Sequence, residues 1–422
     1  MKVLLLGADG FIGRHIAFAF RAAGHEVVAS ARRPDRLAAV GFATVAADLT
    51  DPVTHDPAFW RPHLRGEVHM INAAGLLTGS AHAFEAVHVR APAAALAAMD
   101  GGQALLLSAI GIEAATPFAH WRREGERVAL AAGATVLRAG LVLADTSYGG
   151  SSALRASAAL PFRRLVVGSG EERFNPIHAE DLARVILACL EAPPGPGPDG
   201  GAWEIGGPEA LSQTELTAEI RRWLGLLPAP ALRLPRPLAR ALGQVGDFVR
   251  LGPFSATTVD QLATGVLADP ALLLSRIGVR PVPVSRFLNR RPAGTQDLWQ
   301  ARLCLMKPLI RLTLALMWLV SGLLGLFLPV AAFPAAILNL PEPLILAAAR
   351  AGGLADLILA GLLIRDIAPR RTALAQLVMV LGYTVGLTLM APALWIAPFG
   401  ELLKNLPVMA LILTHLALTE ER

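Results

Sequence analysis

From residue 309 onward the sequence offers four apolar segments of membrane-spanning length, and no other feature constrains the fold as much. They run over 309–329, 343–364, 372–394 and 402–418, each close to the ~20 residues that carry a helix across a hydrocarbon core. A helix buried in a soluble bundle keeps a polar face, whereas these segments are apolar nearly all round. Charged residues make up 17% of the chain, against about a quarter in ordinary soluble domains, and most of them fall in residues 1–302. The spacing predicts a C-terminal four-helix transmembrane bundle over 309–422, with the lipid bilayer as its partner.

The basic residues orient that bundle. Arg302, Lys307 and Arg311 flank the first segment on its N-terminal side, and Arg365, Arg370 and Arg371 separate the second from the third. The loops 330–342 and 395–401 carry neither lysine nor arginine. The positive-inside rule then places both termini in the cytoplasm. Within the second segment, Arg350 and Asp356 point about 120° apart on a helix. Ionisable groups at that depth face the bundle or an aqueous pocket, serving either a function or a bond to a neighbouring helix.

Residues 1–290 read differently. The apolar run Val3–Leu6 leads into Gly7-Ala-Asp-Gly10-Phe11-Ile12-Gly13, then a helical stretch that Gly24 ends. Further short strands follow at Glu26–Ser30, Phe42–Ala46, Val68–Ile71, Ala104–Leu107 and Thr135–Leu137, each succeeded by a helical segment. This alternation predicts an α/β doubly wound parallel sheet, the Rossmann architecture. From residue 145 the pattern loosens, so 145–290 is expected to supply a small substrate lobe, including a helix capped by Ser212 with Glu215 at the box position. Residues 291–308 are expected to form a junction with an interfacial helix containing Leu298, Trp299, Arg302, Leu303 and Met306.

Charge excludes one class of partner. The net charge is +5, but the basic residues are scattered, with no long run and no interleaved aromatics, so nucleic acid is not expected. Only Lys2, Lys307 and Lys404 among the 38 basic residues are lysines, a bias that reads as the codon usage of a GC-rich bacterial genome. Cys189 and Cys304 form neither a disulfide framework nor a metal site, which suits a reducing compartment. The opening residues read as a buried strand and not as a secretory signal. Together these place the chain in a bacterial inner membrane, with the Rossmann domain cytoplasmic.

A glycine triplet between a strand and a helix lets the backbone approach a pyrophosphate, which rests on the helix N-terminus. NAD-selective sites end the second strand with an acid that holds the ribose 2′-hydroxyl. Here Ser30-Ala31-Arg32-Arg33 stands instead. Arginine pairs with a 2′-phosphate, so NADP(H) is favoured over NAD(H).

Those glycines, with Asp48-Leu49, Asn72-Ala73-Ala74-Gly75, Ser108 and the segment Asn175-Pro-Ile-His-Ala-Glu-Asp181, resemble an extended or atypical short-chain dehydrogenase/reductase. Within that superfamily 1–290 is most similar to the branch of the 39 kDa-type accessory subunit of respiratory complex I and related quinone-associated proteins. Residues 305–420 resemble the DoxX-like membrane family. The resemblance implies that Asp48 and Leu49 flank the adenine, that Ala73, Ala74 and Gly75 line the ribose side, and that Ser108 approaches the nicotinamide.

One departure matters most. The resembling enzymes use a Tyr-x-x-x-Lys pair, and the matching stretch is Phe118-Ala-His120-Trp-Arg122. Phe118 has no proton to give, and Arg122 can hold a ribose or phosphate but stays protonated. Ser108, His120 and Arg122 are therefore the candidate catalytic residues, with Tyr148 further off, while His178 and Asp181 are expected to organise the second lobe. Two readings follow. One is an NADP(H)-dependent oxidoreductase acting on a quinone- or lipid-like substrate; the other is a non-catalytic NADP(H)-binding sensor or stabilising module of a membrane protein complex. A nucleotide-sugar epimerase or dehydratase is disfavoured by the missing pair and by the membrane anchor.

Overall fold

The computed structural model describes residues 1–332, 341–398 and 400–419. It divides into two compact units: Met1–Ala241 with Ala256–Leu298, and Leu242–Ser255 with Trp299–Arg422.

The first unit is built on seven strands: β1 (Lys2–Leu6), β2 (Glu26–Ala31), β3 (Ala43–Ala46), β4 (Val68–Asn72), β5 (Ala104–Ala109), β6 (Thr135–Ala139) and β7 (Trp203–Ile205). Their order is β7-β6-β5-β4-β1-β2-β3, with every pairing parallel. The expected doubly wound sheet is thus present, and its switch point lies between β1 and β4. Such strands are buried on both faces, which is why they read as continuous apolar runs: Val3, Leu4, Leu5 and Leu6 are all fully buried.

Helix α1 (Phe11–Ala22) follows β1, and Gly24 takes the left-handed conformation just past its end, φ 84°. Helix α2 (Pro117–Ala131) starts under a Thr116 side-chain cap and packs beside β5 and β6. Helix α3 (Ala179–Glu191) lies along α1. The helix beginning at Gln213 carries the full capping box of Ser212 and Glu215. Helix α4 (Arg236–Phe248) leads out of this unit and ends in the second.

The second unit holds α5 (Thr295–Phe327), α6 (Glu342–Ile364), α7 (Pro369–Met390) and α8 (Asn405–Leu418). Around Leu314, Trp318, Leu359, Ala373 and Ile412 the four helices share one apolar core. Among the described residues, three of these helices are long and apolar enough to cross a membrane, not four. Pro392 lacks the N–H to continue a helix, so α7 stops at Met390, and a 3₁₀ turn over Pro392–Trp395 with further turns after it delays α8 to Asn405. At 1.5 Å per residue the 14-residue α8 covers about 21 Å of the ~30 Å hydrocarbon core. The loop 330–342 lies outside the described residues over 333–340.

The segment read as a junction is continuous with the first span, because α5 runs unbroken through Pro308. Gly322 and Gly325 allow α5 close to α6: a Cβ on Gly322 would sit 2.8 Å from the Gly353 carbonyl oxygen, the small-residue packing that membrane helices favour. Arg350 donates to the carbonyls of Gly325 and Leu328 at 2.7 and 3.1 Å, completing the end of α5. Asp356 accepts from Ser321 Oγ at 2.6 Å and from Tyr383 at 3.3 Å, joining α5, α6 and α7. Both ionisable groups of the second span therefore bond to neighbouring helices.

Candidate functional site

The site starts where β1 ends. Gly7 turns the chain at φ 74°, and a Cβ there would stand 2.7 Å from the Ala74 Cα. A Cβ on Gly13 would collide with the Gly7 carbonyl oxygen. Three backbones (the turn, the loop after β4 and the first turn of α1) meet too closely for any side chain at these positions. The Gly10 N–H donates to the Gly7 carbonyl at 3.0 Å, and the Ala8 N–H to the Ser30 carbonyl at 3.1 Å, tying the turn to β2. Gly10 is the N-cap of α1, and its first turn, beginning Phe11-Ile12-Gly13, holds no acidic residue. A helix N-terminus of this kind, with no acidic side chain in its first turn, suits an anion.

The neighbouring rim comes from β2 and β3. Arg32 and Arg33 are exposed directly after β2, and among the described residues neither makes a hydrogen bond or ion pair. Asp48 accepts from the Thr50 N–H at 3.0 Å and from its hydroxyl at 2.7 Å. These bonds, with a smaller contribution from the Arg32 charge, hold the Asp48 carboxyl below its usual range. Leu49 turns into the core beneath it.

The opposite wall joins β4, β5 and α2. Asn72 Oδ1 accepts from the Ala74 N–H at 3.0 Å and fixes the turn Ala73-Ala74-Gly75. Gly75 leaves room for the Arg122 guanidinium, which a Cβ there would have to displace. Arg122 reaches across from α2 and donates to the Leu107 carbonyl at 3.1 Å, beside Ser108 at the end of β5. Burial presses its pKa down to about 10, against the pull of Glu126, so it stays charged at neutral pH. Phe118 is buried one turn earlier, with Arg122 5.6 Å over its ring. Ser108 Oγ, Arg122 Nε and His88 Nδ1 are all buried, and among the described residues none has a hydrogen-bond partner.

His88 was not legible as part of this site. Its ring meets Phe118 edge-on at 6.2 Å and stacks on Phe84 at 5.8 Å, while Nε2 faces the Leu76 N–H and carbonyl at 3.3 and 3.2 Å. Burial first, and then the Arg122 charge, push its pKa down to about 3, so the imidazole is neutral. It projects from a π-helical stretch, Ala86–Arg90, whose extra residue per turn breaks the 3.6 period. The available sequence signal was Gly125 inside α2, where a Cβ would sit 2.5 Å from the His88 carbonyl oxygen.

The structure gathers Ser108 and Arg122 but leaves His120 aside. His120 is exposed and touches the Trp121 ring edge-on at 5.0 Å. Two residues from Phe118 on a helix, it faces the other way. Tyr148 is exposed as well. His178 caps α3 and packs on Phe287, and Asp181 accepts from the Val282 N–H at 2.6 Å.

Two family models match the chain: the NAD dependent epimerase/dehydratase family over residues 3–97, and the DoxX-like family over 315–413. The chain carries an epimerase/dehydratase-type Rossmann domain and a DoxX-like membrane domain. A curated relative of the first domain is a (4-alkanoyl-5-oxo-2,5-dihydrofuran-3-yl)methyl phosphate reductase of Streptomyces griseus, 27% identical over 284 residues, covering 64% of this chain and 94% of the relative. Among solved structures, UDP-glucuronic acid 4-epimerase from Bacillus cereus in complex with NAD has a TM-score of 0.53 at 16% identity, covering 72% of this chain and 100% of its own. The dTDP-glucose 4,6-dehydratase of Bacillus anthracis, also with NAD, gives 0.52 at 12% identity, covering 71% and 96%. These structural likenesses establish the fold of the epimerase/dehydratase-type domain.

Proposed function

We propose that this chain is a membrane-anchored NADP(H)-dependent reductase whose acceptor is a conjugated carbonyl compound of quinone- or lipid-like character. The observation that carries this reading is the wall formed by Phe118, His88 and Arg122, together with the unpartnered Ser108 hydroxyl. The glycine turn and α1 fit a pyrophosphate, and the free Arg32 and Arg33 fit a 2′-phosphate. Bound there, NADPH would supply a hydride.

Without a tyrosine, the wall is poorly equipped to protonate an ordinary ketone oxygen as it is reduced, and general acid catalysis typically contributes ~10²–10⁴-fold. A quinone or enone needs that help least, because its reduced anion is delocalised and takes its proton from water. Neutral His88 and the Ser108 hydroxyl can each donate a hydrogen bond to a developing oxyanion, and Arg122 stabilises its charge. The relative named as a reductase of an unsaturated, alkanoyl-bearing lactone supports the same acceptor class. With the N-terminal domain cytoplasmic, as Arg302, Lys307 and the arginines at 365–371 support, the site would draw NADPH from the cytoplasm. We further propose residues 1–290 as the catalytic domain and 309–422 as its anchor.

Phe118 favours a second reading, a nucleotide-binding module of a membrane complex without turnover. NADPH oxidation by the full chain in detergent, offered a short-chain quinone, an enone and a saturated aldehyde, separates the two. The reductase reading expects the quinone or enone to be consumed and the aldehyde to be ignored. Tight NADPH binding with no oxidation by any acceptor would overturn it. The double substitution Phe118→Tyr with Arg122→Lys should raise turnover of the saturated aldehyde if the pocket admits it.

A further inference from the structure

Helix α4 inverts the usual burial rule. Its small residues Ala239, Gly243 and Gly246 are buried, as is Val249 just past its end, and a Cβ on Gly246 would collide with the Phe254 carbonyl oxygen. Its large apolar residues do the opposite: Leu242, Val245 and Phe248 are exposed, and Leu238 continues the stripe one turn earlier. At 100° per residue these four cover about 120° of the helix surface. The buried face borders the stripe on one side; Arg240, Gln244 and Asp247 border it on the other.

A contiguous apolar stripe facing water marks an interaction surface, and the ties at the end of α4 say what covers this one. Arg365, the residue that ends α6, donates to the Phe248 carbonyl at 2.6 Å and lies 4.9 Å over the Phe248 ring. Arg311, at the start of the apolar stretch of α5, donates to the Val249 and Arg250 carbonyls and pairs with Asp366 at 2.8 Å. Both arginines stand at the same end of the bundle, where α5 enters and α6 leaves the hydrocarbon. They fix residues 248–250 at the level of the membrane surface.

We propose that α4 is an interfacial helix, with Leu242, Val245 and Phe248 seated in the headgroup–acyl boundary of the bilayer that surrounds the spans. An apolar face of this width beside a polar one is the pattern of a helix lying in that boundary. The inference rests on the membrane-anchor reading and adds a second, in-plane attachment that the apolar spans do not supply. The stripe belongs on α4, and not on the segment Leu298–Met306, which continues directly into the first span.

The test uses the full chain in vesicles of phosphatidylethanolamine and phosphatidylglycerol. Cys189 is buried and Cys304 is replaced by alanine; a nitroxide is then attached at Val245→Cys, Gln244→Cys or Val320→Cys in turn. The label at 245 should be accessible to oxygen and several-fold less accessible to an aqueous nickel chelate than the label at 244. Equal nickel accessibility at 244 and 245, with 320 protected, overturns the interfacial helix and leaves the anchor standing. A label at 320 that is itself open to nickel overturns both. Dipolar broadening at 245 that vanishes on dilution with unlabelled protein assigns the stripe to a second copy of the chain, and likewise overturns the proposal.

Discussion

The two units bury opposite things. In the nucleotide domain Leu4, Leu5, Leu6, Ile16 and Phe20 are fully enclosed, and the arginines after β2 stand outside. In the helical unit Leu389 is 80% and Phe327 76% exposed, while Gln376, Asp356, Thr372 and His415 are inside. Enclosing a large apolar side chain contributes about 1.5–3 kcal/mol when the alternative is water. The first unit follows that rule; the second has the inverted pattern that suits a surround of lipid, whose tails accept leucine and reject unpaired polar groups. One chain therefore reads correctly only when each half is judged against its own solvent.

Gly13→Val should give the largest effect, and it should be confined to one unit. A Cβ at residue 13 meets the Gly7 carbonyl oxygen and carbon, which are backbone and cannot move aside cheaply. Overpacking of this kind costs about 1–3 kcal/mol, and moving the turn also removes the phosphate seat. We expect NADPH binding to fall by about 100-fold, the equivalent of 2.7 kcal/mol, with the chain still extracted from membranes only by detergent. Calorimetric titration and a carbonate wash measure the two. Retained binding would refute the assigned nucleotide turn.

A pH-dependent loss comes next. His88 has its pKa lowered to about 3 by burial and by the Arg122 charge, against 6.5 when unfolded. The unfolded chain takes up a proton that the folded one refuses. The contribution is therefore complete above pH 6.5 and is lost as pH falls toward 3, at up to about 1.4 kcal/mol per unit. His88→Gln should flatten the fall in thermal midpoint between neutral and mildly acidic pH. An unchanged slope would place His88 outside the buried wall.

At the rim, replacing Arg32 and Arg33 by alanine should weaken NADPH by at least about tenfold, since a hydrogen bond to a charged group contributes about 1.5–3 kcal/mol. NADH binding should barely change. Equal loss of both cofactors would show that the 2′-phosphate is held elsewhere.

Most of this was legible because periodicity is local. The strands, the glycine turn, the Ser212 box and the departure at Phe118-Arg122 all reside in short windows of sequence. What escaped was non-local. His88 joins the wall through a π-helical turn that shifts every following residue around the axis. His120 falls on the outer face of α2 as a matter of helical phase relative to Phe118. The apolar segment 402–418 suggested a fourth full span, but its helix starts only at Asn405 and its 14 residues fall short of a crossing. The α4 stripe went unread because Leu238, Leu242, Val245 and Phe248 have the spacing of an ordinary core helix. Only burial shows that the small residues took the inside.

The smallest predicted effect bears most directly on the contrast between the units. Trp318 Nε1 donates to Gln376 Oε1 at 2.9 Å, joining α5 to α7 where both side chains are buried. In the nucleotide domain Glu126, also buried, accepts three hydrogen bonds from Arg138, the closest at 2.7 Å. In water-soluble cores, breaking such a pair costs about 3–5 kcal/mol, because one charge is left uncompensated. Between membrane helices, a side-chain hydrogen bond averages about 0.6 kcal/mol and reaches about 1.7, because the separated helices also find partners. Gln376→Leu should therefore cost under about 2 kcal/mol, and Glu126→Ala distinctly more, when both variants are unfolded in the same detergent and each unit is followed by its own probe. A larger penalty for Gln376→Leu than for Glu126→Ala would mean that the polar interior of the helical unit, and not its apolar exterior, is what holds that unit together.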